Sequence, residues 1–303
     1  MKTQTIGVEI EMTGITREAA AEAVAKYFGT TATYAGGAYK TYKVKDDTGR
    51  TWQLMRDSSI KAQHKANGNL EGATDDYKVE MVTPILKYDD IETLQEIVRE
   101  VRKAGAFVNP SCGMHIHIGA KKFTPATIRN LVNAVASKED LLYKALNVYE
   151  GRKRYCEPTS QRFLKELNEK KPATKEALGA IWYNCSTDTI RDHVRSHYDY
   201  SRYTICNLHA YFTKGTIEFR IFNATLHAGE VKAAIQFCLA LTHNALTTQK
   251  AIYRPTETDN PKYTMRCWLL RLGMIGDEFK TARLHLLKNL EGNAAWRNAE
   301  ATA

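Results

Sequence analysis

The chain has 303 residues, of which 43% are hydrophobic, and this is enough for one large domain or two modest ones with a buried core. Its six cysteines are more than twenty residues apart, which excludes a CxxC pair and zinc-finger spacing. A net charge of +9 favours anionic partners, although a basic surface alone would also produce it.

Targeting and membrane segments are not predicted. The most apolar later stretch, residues 231–246, is interrupted by polar side chains, and no apolar signal core precedes Glu9. We therefore expect a cytoplasmic protein with reduced, mostly buried cysteines.

The first part of the chain has an α/β pattern. Residues 4–12 alternate apolar and polar side chains, which predicts a strand with Glu9 and Glu11 on one face. The further elements predicted here are a helix over 16–28 capped by Thr16, strands over 31–43 and 50–56 joined by a turn at 46–49, a strand over 78–83, a helix over 88–104, and extended segments at 106–108 and 114–119.

The second part is predicted to be mostly helical. Residues 124–196, opening at Thr124-Pro125, have the pattern of a helical insertion. The elements predicted after it are strands over 203–212 and 215–222 joined as a hairpin, a helix over 228–247, and a helical tail over 250–303 in which 262–290 have the clearest helical pattern. We predict one α+β domain over 1–303 whose sheet is mainly antiparallel.

Two motifs place pairs of chemically versatile side chains on one strand face. Glu9 and Glu11 stand two residues apart, and so do His115 and His117 within Gly-Met-His-Ile-His. Carboxylates at this spacing lie about 7 Å apart along the backbone, close enough to hold two neighbouring Mg²⁺ ions. Taken alone, each pair could also be an exposed polar face or a set of satisfied polar groups.

Two further motifs carry acidic residues in strand-like sequence. Glu80 is followed by Thr83-Pro84, so its strand ends shortly after the carboxylate. In residues 215–222 the alternation predicts that Glu218, Arg220 and Phe222 share one face. An ion pair across that face is the alternative to a functional role.

Together the motifs resemble those of the glutamine synthetase and glutamate–cysteine ligase superfamily of carboxylate–amine ligases, most closely its amidoligase branch. That branch is marked, in chain order, by G-x-E-x-E, D-x-S, E-x-x-[ST]-P, C-G-x-H-x-H and E-F-R-x-F. The matching segments here are Gly7–Glu11, Asp57–Ser59, Glu80–Pro84, Cys112–His117 and Glu218–Phe222. The resemblance covers about thirty positions and does not extend to the predicted insertion or tail.

The resemblance implies a glutamine synthetase-like fold, a curved antiparallel sheet whose concave face binds ATP with Mg²⁺ or Mn²⁺. The implied activity is that of an ATP-dependent carbon–nitrogen ligase, in which a carboxylate is phosphorylated and an amine then displaces the phosphate. The implied metal ligands are Glu11 and Glu80 for one ion and Glu9, His115 and Glu218 for a second.

The resemblance also implies residues that contact the nucleotide and the substrates. His117 is similar to a histidine that reaches the ATP phosphates, and Arg220 would meet the transferred phosphoryl group or the substrate carboxylate. Asp57 could orient or deprotonate the amine, while Arg202 and Asn207 could bind the nucleotide. For these last three residues a structural role stays open.

One position departs from the branch, because Ser58 stands where glycine is common, and this leaves the role of Ser59 open. The chain also lacks a Walker-type phosphate loop and a dinucleotide glycine motif, so an ATP site must be built from strand side chains.

Two other functions compete with the ligase. A metal-dependent nuclease or phosphodiesterase would use similar ligands, and a catalytically idle peptide-binding protein could keep the sheet. The basic residues are spread along the chain, so nucleic acid is not expected as a partner. For a ligase we expect ATP and a carboxylate and amine pair drawn from amino acids, peptides, proteins or cell-wall peptides, acting in a monomer or dimer.

Overall fold

The computed structural model describes residues 1–296 and confirms the α+β class. The strands among these residues are β1 (Ile6–Met12), β2 (Ala32–Gly36), β3 (Thr41–Lys45), β4 (Thr51–Met55), β5 (Gln63–Ala66), β6 (Asn69–Gly72), β7 (Val79–Val82), β8 (Gly113–Gly119), β9 (Cys206–Asn207) and β10 (Thr216–Asn223). The α-helices are α1 (Arg17–Phe28), α2 (Ile91–Lys103), α3 (Pro125–Ala136), α4 (Glu139–Leu146), α5 (Gln161–Lys170), α6 (Lys175–Tyr183), α7 (Ile190–Arg195), α8 (His209–Thr213), α9 (Ala228–Thr247), α10 (Pro261–Arg271) and α11 (Lys280–Leu287).

Eight of the strands form one antiparallel sheet in the order β2-β3-β4-β7-β1-β8-β10-β9. The hairpin of β5 and β6 is separate. Strand β1 is central and pairs with β7 on one side and β8 on the other. Glu9 and Ile10 are therefore paired on both sides, with β7 and with β8.

One face of the sheet packs against helices. The apolar side chains of β1 on this face are at most 1% exposed, and they are Ile6, Val8, Ile10 and Met12. Helices α1, α2 and α9 pack together in this layer, and α9 is buried along most of its length. The alternation of the strand leaves Gly7, Glu9 and Glu11 on the opposite face.

Several predicted elements occur close to their predicted limits. The helix predicted over 228–247 is α9. Thr16 caps α1, since its side chain accepts the N–H of Ala19 at 3.2 Å. The predicted turn between β3 and β4 is also present, where Asp46 accepts the N–H of Arg50 at 2.9 Å.

The prediction of a single strand over residues 31–43 is wrong. Gly36 and Gly37 adopt φ values of 67° and 77°, and the chain turns there to form the β2–β3 hairpin. Glycine adopts this conformation without steric cost. The extended segment predicted at 106–108 contains only an isolated bridge between Phe107 and Thr13.

The strand predicted over 203–212 is too long and the tight turn predicted over 213–215 is wrong, although β9 and β10 do pair antiparallel as predicted. Strand β9 contains two residues, and helix α8 begins immediately after it. The side chain of Asn207 accepts the N–H of His209 at 2.8 Å, which starts a turn where the alternation predicted a continued strand.

The predicted insertion, residues 124–196, contains helices α3 to α7. Helix α3 packs on α9 and α5 packs on α3, so these helices are continuous with the helical layer. The division into one domain with an insertion stays a prediction. In the predicted tail, residues 250–260 are not helical, α10 and α11 follow, and residues 297–303 lie outside the described part.

No helix within residues 1–296 combines the length and the apolar character that a membrane crossing requires.

Candidate active site

Strand register gathers the acidic residues and histidines on the sheet face opposite the helices. The pairs placed side by side are Glu11 with Glu80, Glu9 with His115, and His117 with Glu218. Neighbouring strands lie about 4.8 Å apart, so the three pairs form one continuous cluster. Asp57 joins it from the loop after β4, because Met55 pairs with Glu80 and the alternation turns Asp57 to the same face.

Three carboxylates meet at one end of this acidic cluster. Oxygens of Glu11, Asp57 and Glu80 lie within 4.8 Å of one another. Glu11 is 5% exposed, and its Oε2 accepts the N–H of Gly113 at 2.6 Å. Burial and then the charge of Asp57 raise the pKa of Glu11 to about 7. Ionisation of the carboxyls at this end is therefore disfavoured, because the neighbouring side chains do not balance the negative charge that it would create.

Glu80 is the least satisfied of these carboxylates. Its backbone pairs with β1 and β4, but its carboxylate makes no hydrogen bond or ion pair with another residue among 1–296. Burial, followed by repulsion from Glu9 and Asp57, raises the pKa of Glu80 well above its ordinary value. A cation bound here would remove that repulsion.

Glu9 and His115 occupy the centre of the cluster. Burial opposes ionisation of Glu9, but the attraction of His117 and a hydrogen bond from His115 hold the pKa of Glu9 well below its ordinary value. Nδ1 of His115 lies 3.0 Å from Glu9 Oε2, and burial lowers the pKa of His115 to about 4. Because an ionised carboxylate only accepts, the neutral imidazole carries its proton on Nδ1, and Nε2 keeps a lone pair.

His117 has one ring nitrogen without a hydrogen-bond partner. Its Nδ1 lies 3.0 Å from the hydroxyl oxygen of Thr216. Its Nε2 lies 3.1 Å from Glu9 Oε1 without the geometry of a hydrogen bond, and this buried nitrogen has no other partner. An unpartnered buried nitrogen beside a carboxylate is an expected position for a metal ligand.

Glu218 lies at the other end of the cluster and is 2% exposed. It accepts a hydrogen bond from Nδ2 of Asn207 at 2.7 Å and pairs with the guanidinium of Arg220. Burial opposes its ionisation, but the charges of Arg220 and His117 lower the pKa of Glu218 to about 2. The carboxylate is therefore ionised at neutral pH.

The structure groups the ligand atoms differently from the pairing that the resemblance implied. The groups within 4.8 Å are Glu11 with Asp57 and Glu80, Glu9 with Glu80 and His115, and Glu9 with His117 and Glu218. Asp57, which was predicted to contact the amine, therefore lies beside Glu11 and Glu80, the predicted ligands of the first ion. His117, assigned to the phosphates, stands beside a predicted ligand of the second. The roles of the individual residues stay predictions.

A bulge in β10 keeps Arg220 at the cluster. The pairing of β10 with β8 shifts by one residue between Phe219 and Phe222. This shift turns Phe222 into the apolar core, where it is 3% exposed, so the prediction that it shares the face of Glu218 is wrong. The guanidinium of Arg220 pairs with Glu218, and its Nε donates to the carbonyl of Tyr155 at 3.3 Å.

Sequence reasoning missed Arg152, which supports this bulge from behind. It is 3% exposed and donates to the backbone carbonyls of Arg220 and Phe222. It has no acidic ion-pair partner among residues 1–296. The guanidinium packs against Gly113, where a Cβ atom would overlap Nη2, so glycine leaves room for it. Arg152 stands in a run of basic residues, and nothing in the sequence distinguishes it from its neighbours.

Asp57 is held in place by Ser59. One oxygen of Asp57 accepts both the N–H and the hydroxyl of Ser59, each at 2.6 Å. Ser58, which replaces the more common glycine, does not have a positive φ value, so this turn does not require glycine. The departure from the motif is therefore compatible with an oriented carboxylate.

A cleft of about 200 Å³ adjoins the cluster at Glu218. Arg202 and Asn207 line it, but only Asn207 contacts Glu218, while Arg202 donates to a backbone carbonyl in its own loop at 2.8 Å. Lys214 lines it too, and its Nζ lies 3.5 Å from Glu9 Oε1. Sequence reasoning missed Lys214, although its place just before the Glu218 strand could have indicated it.

The donor set of the acidic cluster fits divalent cations. Five carboxylates and two imidazoles supply it. The Nε2 of His117 without a hydrogen bond and the raised pKa values of Glu80 and Glu11 all fit a site that binds a cation. Hard oxygen donors suit Mg²⁺ and Mn²⁺. Since Glu9 and Glu80 each belong to two groups, bound ions would be neighbours.

A family model described as "putative amidoligase enzyme" matches residues 2–242, which include every residue of the acidic cluster. The match ends within α9, so α10 and α11 lie beyond it. No curated protein matches the chain.

Proposed function

The chain belongs to the putative amidoligase family, and from that membership we propose that it is an ATP-dependent ligase that joins a carboxylate to an amine. The proposal depends on one observation, the adjoining groups of carboxylates and histidines in the acidic cluster. Within each group the possible ligand atoms lie within 4.8 Å of one another. Phosphoryl transfer from ATP depends on divalent ions that neutralise the phosphates, and carboxylates of this kind hold such ions.

In the proposed reaction, a carboxylate oxygen of one substrate attacks the γ-phosphorus of ATP, and ADP leaves. The amine of the second substrate then attacks the acyl carbon, phosphate leaves, and the nitrogen loses a proton as the amide forms. Mg²⁺ or Mn²⁺ would supply charge neutralisation at the phosphates. The residues proposed to hold the ions are Glu9, Glu11, Glu80, His115 and Glu218, with Asp57 and His117 as further donors within reach.

Arg220 is the proposed contact for the transferred phosphoryl group or the substrate carboxylate. It is 6% exposed and is positioned by Glu218, by the carbonyl of Tyr155 and by the bulge that Arg152 supports. A guanidinium fixed in this way can stabilise developing negative charge without reorganising.

We assign the two ends of the cluster to different substrates. Lys214 and Arg202 give the cleft beside Glu218 a positive charge that suits nucleotide phosphates, and Asn207 could bind the nucleotide there. At the other end, Asp57 would attract a protonated amine and could accept its proton. The acceptor carboxylate and the amine could belong to an amino acid, a peptide, a protein or a cell-wall peptide.

The test is calorimetric titration of ATP into the purified protein, once with Mg²⁺ and once with chelator. We expect metal-dependent binding, weakened about tenfold or more in Glu9→Gln, because Glu9 belongs to two ligand groups. The matched control is Glu139→Gln, which changes another buried carboxylate that accepts the N–H of Thr159 at 2.8 Å outside the cluster.

Unchanged binding in Glu9→Gln, or no binding by the folded wild type, would contradict the proposal. Metal-dependent cleavage of nucleic acid without ATP would favour the nuclease instead. If binding occurs as expected, ADP release with candidate carboxylate and amine pairs would identify the substrates.

A further inference from the structure

A second group of possible metal ligands lies where α11 packs against the start of α9. His227 is the N-cap of α9, Glu230 lies in its first turn, and His285 is on α11. Their ligand atoms lie within 4.8 Å of one another. Two imidazoles and one carboxylate are typical ligands of Zn²⁺, Co²⁺ or Ni²⁺. We propose that this group, the histidine site, binds such an ion and fastens α11 to α9.

The backbone leaves room for the two rings to converge. The ring centroids of His227 and His285 are 5.0 Å apart. Gly229 lies beside both, and a Cβ there would stand 2.9 Å from Nε2 of His285 and 3.1 Å from Cε1 of His227. Any other residue at this position would push the rings away. The conformation of this turn therefore favours the approach of the ligands.

Two of the present contacts of these ligands can be exchanged for a metal ion, while the hydroxyl of Thr225 donates to the other oxygen of Glu230 at 2.6 Å and can stay. One oxygen of Glu230 pairs with the ammonium of Lys288, whose side chain is 47% exposed and can return to water at little cost. The N–H of Glu230 donates to Nδ1 of His227 at 3.3 Å, a long hydrogen bond. The ammonium also marks Glu230 as a position where a cation is already favoured.

The histidine site opens onto a cleft of about 300 Å³. Glu230 and His285 line this cleft together with Asn147, Asn223 and Asn289. Three protein ligands leave one position of a four-coordinate ion for water or for a small ligand in the cleft.

The histidine site also links residues inside the segment that the family model matches with a residue outside it. His227 and Glu230 lie within the segment that matches the family, and His285 lies beyond it. A metal ion here would therefore attach the C-terminal helices to the family domain, and its effect should be visible in unfolding experiments.

The test is titration of chelator-treated protein with Co²⁺, followed by visible absorption, and thermal unfolding with and without Zn²⁺. We expect His285→Gln to bind one Co²⁺ equivalent fewer than the wild type and to show a smaller Zn²⁺-induced rise in Tm. Lys288→Met should bind Co²⁺ about tenfold more tightly, because the competing ammonium is gone. Glu9→Gln should keep this Co²⁺ equivalent, which separates it from the acidic cluster.

The matched control is His243→Gln, which removes an exposed histidine of α9 outside the histidine site. Equal Co²⁺ stoichiometry in the wild type and His285→Gln would overturn the proposal. Unchanged Co²⁺ affinity in Lys288→Met would also overturn the proposal. This variant provides the test if His285→Gln does not fold.

Discussion

Glu11→Gln should make the metal-free protein more stable at alkaline pH and should remove most of its stabilisation by metal. In the folded protein the pKa of Glu11 is raised from 4.5 to about 7, because burial and Asp57 disfavour the charged form. The folded state therefore holds its proton more tightly than the unfolded state, and stability falls as pH rises through this range. Glutamine has the same shape and does not ionise.

The size of the effect follows from the shift. Moving a pKa from 4.5 to about 7 corresponds to about 3 kcal/mol at pH values well above 7, at about 1.36 kcal/mol per pKa unit. Near pH 4 both states are protonated and the difference nearly vanishes. The hydrogen bond from Gly113 should survive, since a glutamine oxygen can accept it, and the new amide can donate to Glu80 or Asp57.

Urea unfolding followed by circular dichroism, in chelator at pH 5 and pH 8.5 and then with Mn²⁺, would measure this. The variant should exceed the wild type by about 1–3 kcal/mol at pH 8.5 without metal, and Mn²⁺ should stabilise the wild type far more than the variant. Glu139→Gln should keep the Mn²⁺ response. A variant less stable than the wild type at pH 8.5, or a difference independent of pH, would refute the reasoning.

Two further substitutions test the parts of the site that position other groups. Gly113→Ala should destabilise the protein by about 2 kcal/mol and weaken Mn²⁺ binding, because its Cβ would overlap the Arg152 guanidinium. Gly7→Ala is the control. Its Cβ would lie 3.4 Å from Cβ of His117, so it should be tolerated. Thermal melts and Mn²⁺ titrations compare the two, and equal losses would speak against this account. Arg220→Lys should retain ATP binding and lower kcat about a hundredfold, because the charge survives and the planar fork does not. Calorimetry measures ATP binding and an ADP-release assay measures kcat. Loss of ATP binding would contradict this prediction and would indicate that Arg220 contacts the nucleotide.

The parts of the fold that local patterns specify could be predicted from the sequence. Strict alternation in residues 6–12 and 114–118 identifies buried strands with one polar face, and the apolar density of 228–247 identifies a buried helix. The alternation specifies the face on which each side chain lies, but it does not specify which residues of two strands pair. This is why Glu9 and His115 could be expected on one surface before their pairing was known.

What the sequence could not supply depends on contacts between distant segments. The bulge in β10 breaks an alternation that continues through Phe222, and the arginine that supports it comes from a segment about seventy residues earlier. The place of Asp57 beside Glu11 likewise depends on the pairing of β4 with β7. The end of β9 coincides with a hydrogen bond that the Asn207 side chain accepts from the N–H of His209, and the alternation of the sequence does not indicate it.

The alternation of β1 has a consequence for how this protein can change over generations. Its acidic residues face the cluster only because every second residue faces the core. Losing or gaining one residue at Gly7 or Val8, with the rest of the strand slipping by one, would turn Glu9 and Glu11 towards the helical layer and Ile10 towards the acidic cluster. The chemistry of the central strands can therefore diverge through replacement of side chains alone, whereas gains and losses of length should accumulate in the helices and loops around them.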